Sequence, residues 1–301
     1  MNIQFIKYSK IWLGISAGII LVSIILLSIF GLRAGIDFTG GSLMELSFSD
    51  KRPENNQVMD IMETKLNLPN SVIQKTAEKS LIIRTKFLDE KNHQLMLGSL
   101  KEKFETDKNK IIESRFETIG AVVSSQLTKR AIWAVIFVIL GIVLFVAYAF
   151  RKVSRPVASW KYGILAIVAL IHDVLVVLAV FAVLGRFWGV EVNIAIVVAL
   201  LTVLGYSVND TIVVYDRIRE NLLRTRWDSL SEAVNSGLNQ SLMRSINTTI
   251  TTLLPLLTLY FLGGSTIHYF SLALIIGIAS GAYSSIFIAS PLLVVIEKWK
   301  K

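Results

Sequence analysis

The stretch Val190–Asn221, VEVNIAIVVALLTVLGYSVNDTIVVYDRIREN, decides the fold. From Val192 to Tyr215 it is apolar enough, and longer than the roughly 20 residues needed, to cross a bilayer. Asp210, beside Asn209, is the one charged residue inside it. An ionised group at the centre of a spanning helix costs roughly 2.5–3.5 kcal/mol on insertion scales. Asp210 therefore reads as a functional carboxylate facing a protein interior or a wet cavity. The bland alternative is a helix-end carboxylate at the headgroups, since Arg217 is only two turns on. The uncharged run Thr211–Tyr215 favours the interior position.

Outward from this stretch lie more segments long enough to span: Ile11–Gly31, Ala131–Phe150, Tyr162–Leu184, Ser245–Leu262 and Tyr269–Ile296. Only the third holds ionisable groups, His172 and Asp173, while Pro255 and Pro291 interrupt the last two. With 53% hydrophobic residues and a mean hydropathy of +0.60, the composition is that of a polytopic α-helical membrane protein with six transmembrane helices. There is no cysteine, which excludes disulfides and thiolate metal sites. The net charge of +9 could suggest nucleic acid, but the charges flank apolar segments, so no nucleic-acid partner is expected. The first apolar run is too long for a signal peptide and no small-residue cleavage site follows it.

Short loops predict the orientation. Lys7, Lys10, Arg151, Lys152, Arg155, Lys161, Arg217, Arg219, Arg224, Arg226, Lys298, Lys300 and Lys301 all fall on one side. The short loops on the other side hold only Arg186. Both termini are thus expected in the cytoplasm. Residues 1–32 form the N-terminus and first helix, 33–130 a periplasmic domain, and 131–301 helices two to six.

The 33–130 segment is polar and patterned. Ser42–Ser49 alternates like a strand, Asn56–Leu68 has helical spacing and stops at Pro69, and Val72–Thr76 and Leu81–Phe87 read as strands. Glu90–Phe104 is again helical and Ile111–Thr118 a final strand. The order βαββαβ predicts a small α+β, ferredoxin-like domain. Before span five, Ser229 with Glu232 matches a capping box, and Leu230, Ala233, Val234 and Leu238 share one face of an amphipathic helix.

Several polar groups are candidates for chemistry. Arg244 opens span five; in a hairpin of spans four and five it lies at the depth of Asp210, as a counter-ion or as a plain positive flank. Asn247, Thr248, Thr249, Thr251 and Thr252 follow it and either line a wet path or bond back to their own helix. His172 with Asp173 is either a proton relay or a structural polar pair. Asp37-Phe38-Thr39-Gly40-Gly41 suits a tight turn into the first strand. No GxxxxGK[ST], HExxH or GxSxG pattern is present, and the aspartates lack the contexts of intramembrane proteases. No enzymatic activity is expected.

Gly35–Gly41, Ala169–Val174, Gly205–Asn221 and Ser241–Thr249 together resemble the SecF family of the bacterial protein-export machinery, over essentially the whole chain. The resemblance implies half of an RND-superfamily transporter fold, completed by SecD. It implies an accessory subunit of the Sec translocase that uses the proton-motive force in late export through the SecYEG channel. Protons are the coupling ion and no cofactor is implied. SecD, SecYEG, YajC, the translocating polypeptide and membrane lipid are the implied partners. Asp210, Arg244 and Asn209 take the proton-coupling positions. His172, Asp173, Asn247 and Thr248 are secondary relay candidates, and Asp37, Gly40 and Gly41 a structural motif. The rival reading is a self-contained RND-like exporter of lipid or small molecules, which needs two such halves. A third is a purely stabilising subunit.

Overall fold

The computed structural model describes residues 3–150, 158–224, 227 and 229–298. Arg151, Lys152, Arg155, Arg226, Lys300 and Lys301, on which the expected orientation partly rests, lie outside the described residues. The chain divides into two compact units, Ala34–Ile132 and Met1–Arg33 with Trp133–Lys301. Among the described residues, six helices are long and apolar enough to cross a membrane.

The Ala34–Ile132 unit opens with a single helical turn, α2 (Ile36–Thr39). Its elements are β1 (Gly41–Phe48), α3 (Asn55–Thr64), β2 (Val72–Ala77), β3 (Ser80–Thr85), α4 (Glu90–Phe104) and β4 (Ile111–Ile119). The sheet order is β2-β3-β1-β4, with each neighbouring pair antiparallel. That is the ferredoxin-like split βαβ arrangement. Alternation puts Met44, Leu46, Leu81 and Ile83 on one face, where Val58, Ile61 and Met62 of α3 and Met96 and Leu100 of α4 close the core. Helix α3 stops at Thr64, earlier than Pro69 suggested. Asn67 adopts φ 53° and the Leu68 N–H reaches back to the Met62 carbonyl at 2.7 Å, a left-handed helix end that needs no proline. Gly40 and Gly41 have φ of 72° and 120°, and a side chain on Gly41 would meet the Thr85 carbonyl at 2.6 Å. The double glycine is thus required by backbone geometry at the start of β1.

The other unit contains α1 (Ser9–Phe30), most of α5 (Ala121–Ala149), α6 (Ser159–Trp188), α7 (Ile194–Arg224), α8 (Leu230–Leu262) and α9 (Ser265–Ser284). A π-helical turn, Ser285–Ala289, then leads into α10 (Ser290–Lys298). Helix α5 begins ahead of the expected Ala131, because Ala121–Arg130 contains no helix breaker although it is too polar to register as a span. Helix α8 joins the amphipathic segment and span five into one rod. The Ser229 hydroxyl accepts from the Glu232 N–H at 3.3 Å, and Ala233, Val234 and Leu238 are buried as their spacing predicts. The sixth span is not a continuous α-helix. Pro291 lacks an N–H and its ring crowds the Phe287 carbonyl, and the helix widens just before it.

Burial sorts these helices into layers. In the most apolar window of α6, 50% of residues are buried, and in that of the sixth span 61%, against 11% in α1, 6% in α5 and 11% in α8. Helices α6, α7 and α9 therefore form the hub and the rest surround it. Contact between α7 and α9 is close because Gly277 and Gly281, four apart on α9, leave room for Val203 and Ser207 of α7. Small residues at this spacing let helix backbones approach within the bilayer, where no hydrophobic force draws helices together.

Candidate functional site

Two buried carboxylates lie in the hub, and they are satisfied very differently. Asp173 on α6 has no exposed surface. Its Oδ2 accepts from Ser207 Oγ at 2.6 Å and Ser284 Oγ at 2.8 Å. Its Oδ1 accepts from Ser280 Oγ at 2.8 Å and lies 3.0 Å from His172 Nδ1. A carboxylate offers about four lone-pair positions; serine hydroxyls take three here and His172 Nδ1 lies at the fourth. The close packing at Gly277 and Gly281 is what brings hydroxyls of three-atom reach from α7 and α9 onto one group of α6. This favours the structural reading of the His172–Asp173 pair. His172 is also buried, and its Nε2 has no hydrogen-bond partner among the described residues.

Asp210 on α7 is 6% exposed. Its Oδ1 accepts from Ser245 Oγ at 2.7 Å, and its Oδ2, equally buried, has no hydrogen-bond partner among the described residues. Thr211 Oγ1, one residue on, lies 2.9 Å from Ser285 Oγ. The Ser285 hydroxyl lies close enough to interact with the Asp210 carboxyl, but outside hydrogen-bond geometry to Oδ2, and it donates to the Gly281 carbonyl at 2.9 Å. An orphaned buried acceptor is costly. A proton on Asp210 would turn one oxygen into a donor and change that balance, whereas the Asp173 oxygens already accept from three serine hydroxyls.

The other predicted residues are dispersed. Arg244 lies at the depth expected, but it is exposed, and among the described residues it makes no ion pair with Asp210 within 4.0 Å. Its field still reaches Asp210. The α8 residue that touches Asp210 is Ser245, because adjacent helical residues point about 100° apart. A hairpin fixes depth and leaves azimuth open. Asn209 is exposed for the same reason, one residue before the buried Asp210. Asn247 and Thr248 are exposed, and Thr248 bonds back to the Arg244 carbonyl at 2.9 Å. Asp37, Gly40 and Gly41 belong to the other unit, where they lead into β1. Sequence reasoning missed Ser207, Ser245, Ser280, Ser284 and Ser285. The signal was there, in Gly277-x-x-Ser280-Gly281-x-x-Ser284-Ser285, a small polar stripe inside an apolar run. Among the described residues no group of three or more acidic, histidine or cysteine side chains is arranged to hold a metal.

Residues 99–299 match the family model described as protein export membrane protein SecD/SecF, C-terminal. The chain belongs to the SecD/SecF family. Residues 25–51, which include Gly40 and Gly41, match the SecD/SecF GG motif. The protein translocase subunit SecF of Thermobaculum terrenum is 41% identical over 300 residues, covering 97% of this chain and 93% of that protein. The subunit SecDF of Brucella abortus is 35% identical over 97% of this chain, which spans only 37% of its length. A crystal structure of SecDF, a translocon-associated membrane protein from Thermus thermophilus, superposes with a TM-score of 0.84 at 33% identity. It is matched by 100% of this chain, which spans 39% of that chain. Membership in this family supports an accessory role in Sec protein translocation.

Proposed function

We propose that this chain is the SecF half of a proton-driven accessory motor of the Sec translocase. Asp210 takes up a proton from the outer side, holds it on the oxygen that lacks a partner, and releases it inward. What carries the reading is that unpartnered Oδ2 on a buried carboxylate, set beside a fully satisfied Asp173. A full elementary charge moved across the membrane gains roughly 2.3 kcal/mol per 100 mV. Proton binding can drive motion only by favouring one of two conformations.

The partner that completes the path is SecD. Thr202, Asn209, Arg244, Asn247, Thr248 and Thr251 are exposed on α7 and α8, both membrane-spanning helices. Polar groups in a span normally face protein or water rather than lipid. A second half covering this face would enclose Asp210 and Arg244 together, and in SecDF chains the two halves are one polypeptide. In this reading the helices lie in the bacterial inner membrane with both termini in the cytoplasm and the Ala34–Ile132 unit outside. SecYEG, YajC, lipid and the moving polypeptide are its surroundings, and the chain catalyses no chemical conversion. A self-contained exporter is disfavoured, because a relative matched over 93% of its own length is named as a translocase subunit.

The test is proton-gradient-stimulated export in vesicles carrying the complete complex. Asp210→Asn should remove the stimulation and leave the gradient-independent export in place. Full stimulation in that variant would sink the reading and leave a stabilising subunit.

A further inference from the structure

We propose that the π-helical turn Ser285–Ala289 is the hinge through which the proton on Asp210 acts on the rest of the bundle; this rests on the role given to Asp210 above. Where α9 ends at Ser284, the next two residues serve two different clusters. Ser284 donates to Asp173 Oδ2, and Ser285 lies against Thr211 and faces Asp210. Ser284, Ser285, Ala289 and Ser290 have no exposed surface. A shift at this point is therefore felt by both carboxylates at once.

The turn's backbone bonds run five residues back, and two side chains reinforce its carbonyls. The Ser290 hydroxyl donates to the Ser285 carbonyl at 3.0 Å, five residues back. The Tyr215 hydroxyl, from α7, donates to the Ala289 carbonyl at 3.1 Å. In an uninterrupted α-helix the Ser285 carbonyl would instead take the N–H four residues on. Two registers thus compete for the Ser285 carbonyl, and the α register is the costlier one, because it returns the Phe287 carbonyl to Pro291, which has no N–H to give it. On one side of the turn, α9 is locked to α7 through Gly277 and Gly281. On the other, Ile286, Ala289, Leu293 and Val294 pack with Phe5, Phe150, Tyr162 and Tyr215. Passing from the wide to the α register turns α10 by about 100° relative to α9. Asp210 biases the choice because Ser285 is fastened beside it. A neutral Asp210 that donates its own proton competes for the hydroxyls holding that end of the turn.

The titratable and charged groups facing Asp210 and the turn are few. Arg244 acts on Asp210 from α8. Asp173 and His172 meet α9 from α6, and Tyr283 stacks on His172. Tyr215 holds Ala289, and Tyr162 packs on Tyr215 within the field of Arg219. Lys161 at the start of α6 pairs with Glu297 of α10, so a turn of α10 must carry or break that pair.

Because the chain has no cysteine, single cysteines report cleanly. Leu293 and Val294 are buried on α10 and Ile296 is 37% exposed. Cysteines at these positions are alkylated with N-ethylmaleimide in the complete complex in vesicles, at two pH values, normalised to Leu223→Cys on exposed α7 surface. Lowering the pH, or Asp210→Asn at fixed pH, should depress labelling of Ile296→Cys and raise that of Leu293→Cys or Val294→Cys. The change should be roughly tenfold or more, as expected when a state populated at 10% or less becomes dominant. Ser290→Ala should give the shifted pattern without any change at Asp210. If that variant does not fold, the pH series in the unaltered chain still decides. An α10 pattern that ignores both pH and Asp210→Asn, while Asp210→Asn still abolishes stimulated export, overturns the hinge alone. Export that ignores Asp210→Asn overturns the functional reading and the hinge with it.

Discussion

Asp173 and Asp210 are the same residue type at comparable burial, so the same substitution separates their roles. In Asp173→Asn an amide donor replaces an oxygen that accepts two hydrogen bonds. Serine hydroxyls can rotate, but at least one donor loses its acceptor in a dry site. The expected cost is about 1–3 kcal/mol. In Asp210→Asn the amide can take the position of Oδ2, which accepts nothing, while Ser245 keeps its bond to the remaining oxygen. One unpartnered group replaces another there, so that variant should lose clearly less stability than Asp173→Asn. Thermal unfolding of the two variants in the same detergent checks the contrast; equal losses would refute the assignment of a structural role to one and a working role to the other. Ser245→Ala should resemble neither. It removes the donor seen on Asp210 and should shift the pH dependence of stimulated export while Ser245→Thr restores it.

At the scale of elements, the spans were legible because length and hydropathy are one-dimensional properties of the chain. The strands of the Ala34–Ile132 unit were legible because alternation has a fixed period. Azimuth was not legible. Whether Arg244 or Ser245 meets Asp210 depends on how α7 and α8 are rotated, and that is set by contacts such as Gly237 lying against Ile218, which no single segment encodes. The serines escaped notice for a related reason: each is unremarkable in its own helix and acquires meaning only when α6, α7 and α9 meet. The contact that brings them together is open to direct test. A side chain on Gly281 would enter the space of Ser207, which bonds Asp173. Gly281→Val should therefore separate α7 from α9 and cost about 1–3 kcal/mol by overpacking. Gly205→Ala, on the same helix pair but with open space beside it, should be tolerated. Equal behaviour of the two in thermal unfolding would remove the close-approach argument.

At the scale of the whole molecule, the bundle is lopsided. The hub is packed on α6, α7 and α9, while α8 carries a polar face that is exposed among the described residues. A helix bearing Arg244, Asn247, Thr248 and Thr251 outward is poorly matched to lipid, and its two outward threonines are satisfied by their own backbone, as Thr251 is by the Asn247 carbonyl at 2.8 Å. This is the surface on which the proposed second half would sit. Substitution of Thr251 by Trp adds bulk where the partner backbone should approach and removes nothing the isolated chain uses in its hub. The chain should fold with unchanged thermal stability, and its recovery with a co-expressed SecD subunit should fall at least tenfold, which a loss of about 1.4 kcal/mol of association energy produces. The same change at Val198, an exposed apolar residue of α7, serves as the comparison. Undiminished co-purification of Thr251→Trp would place the partner on another face and leave the polar seam of α8 without an occupant.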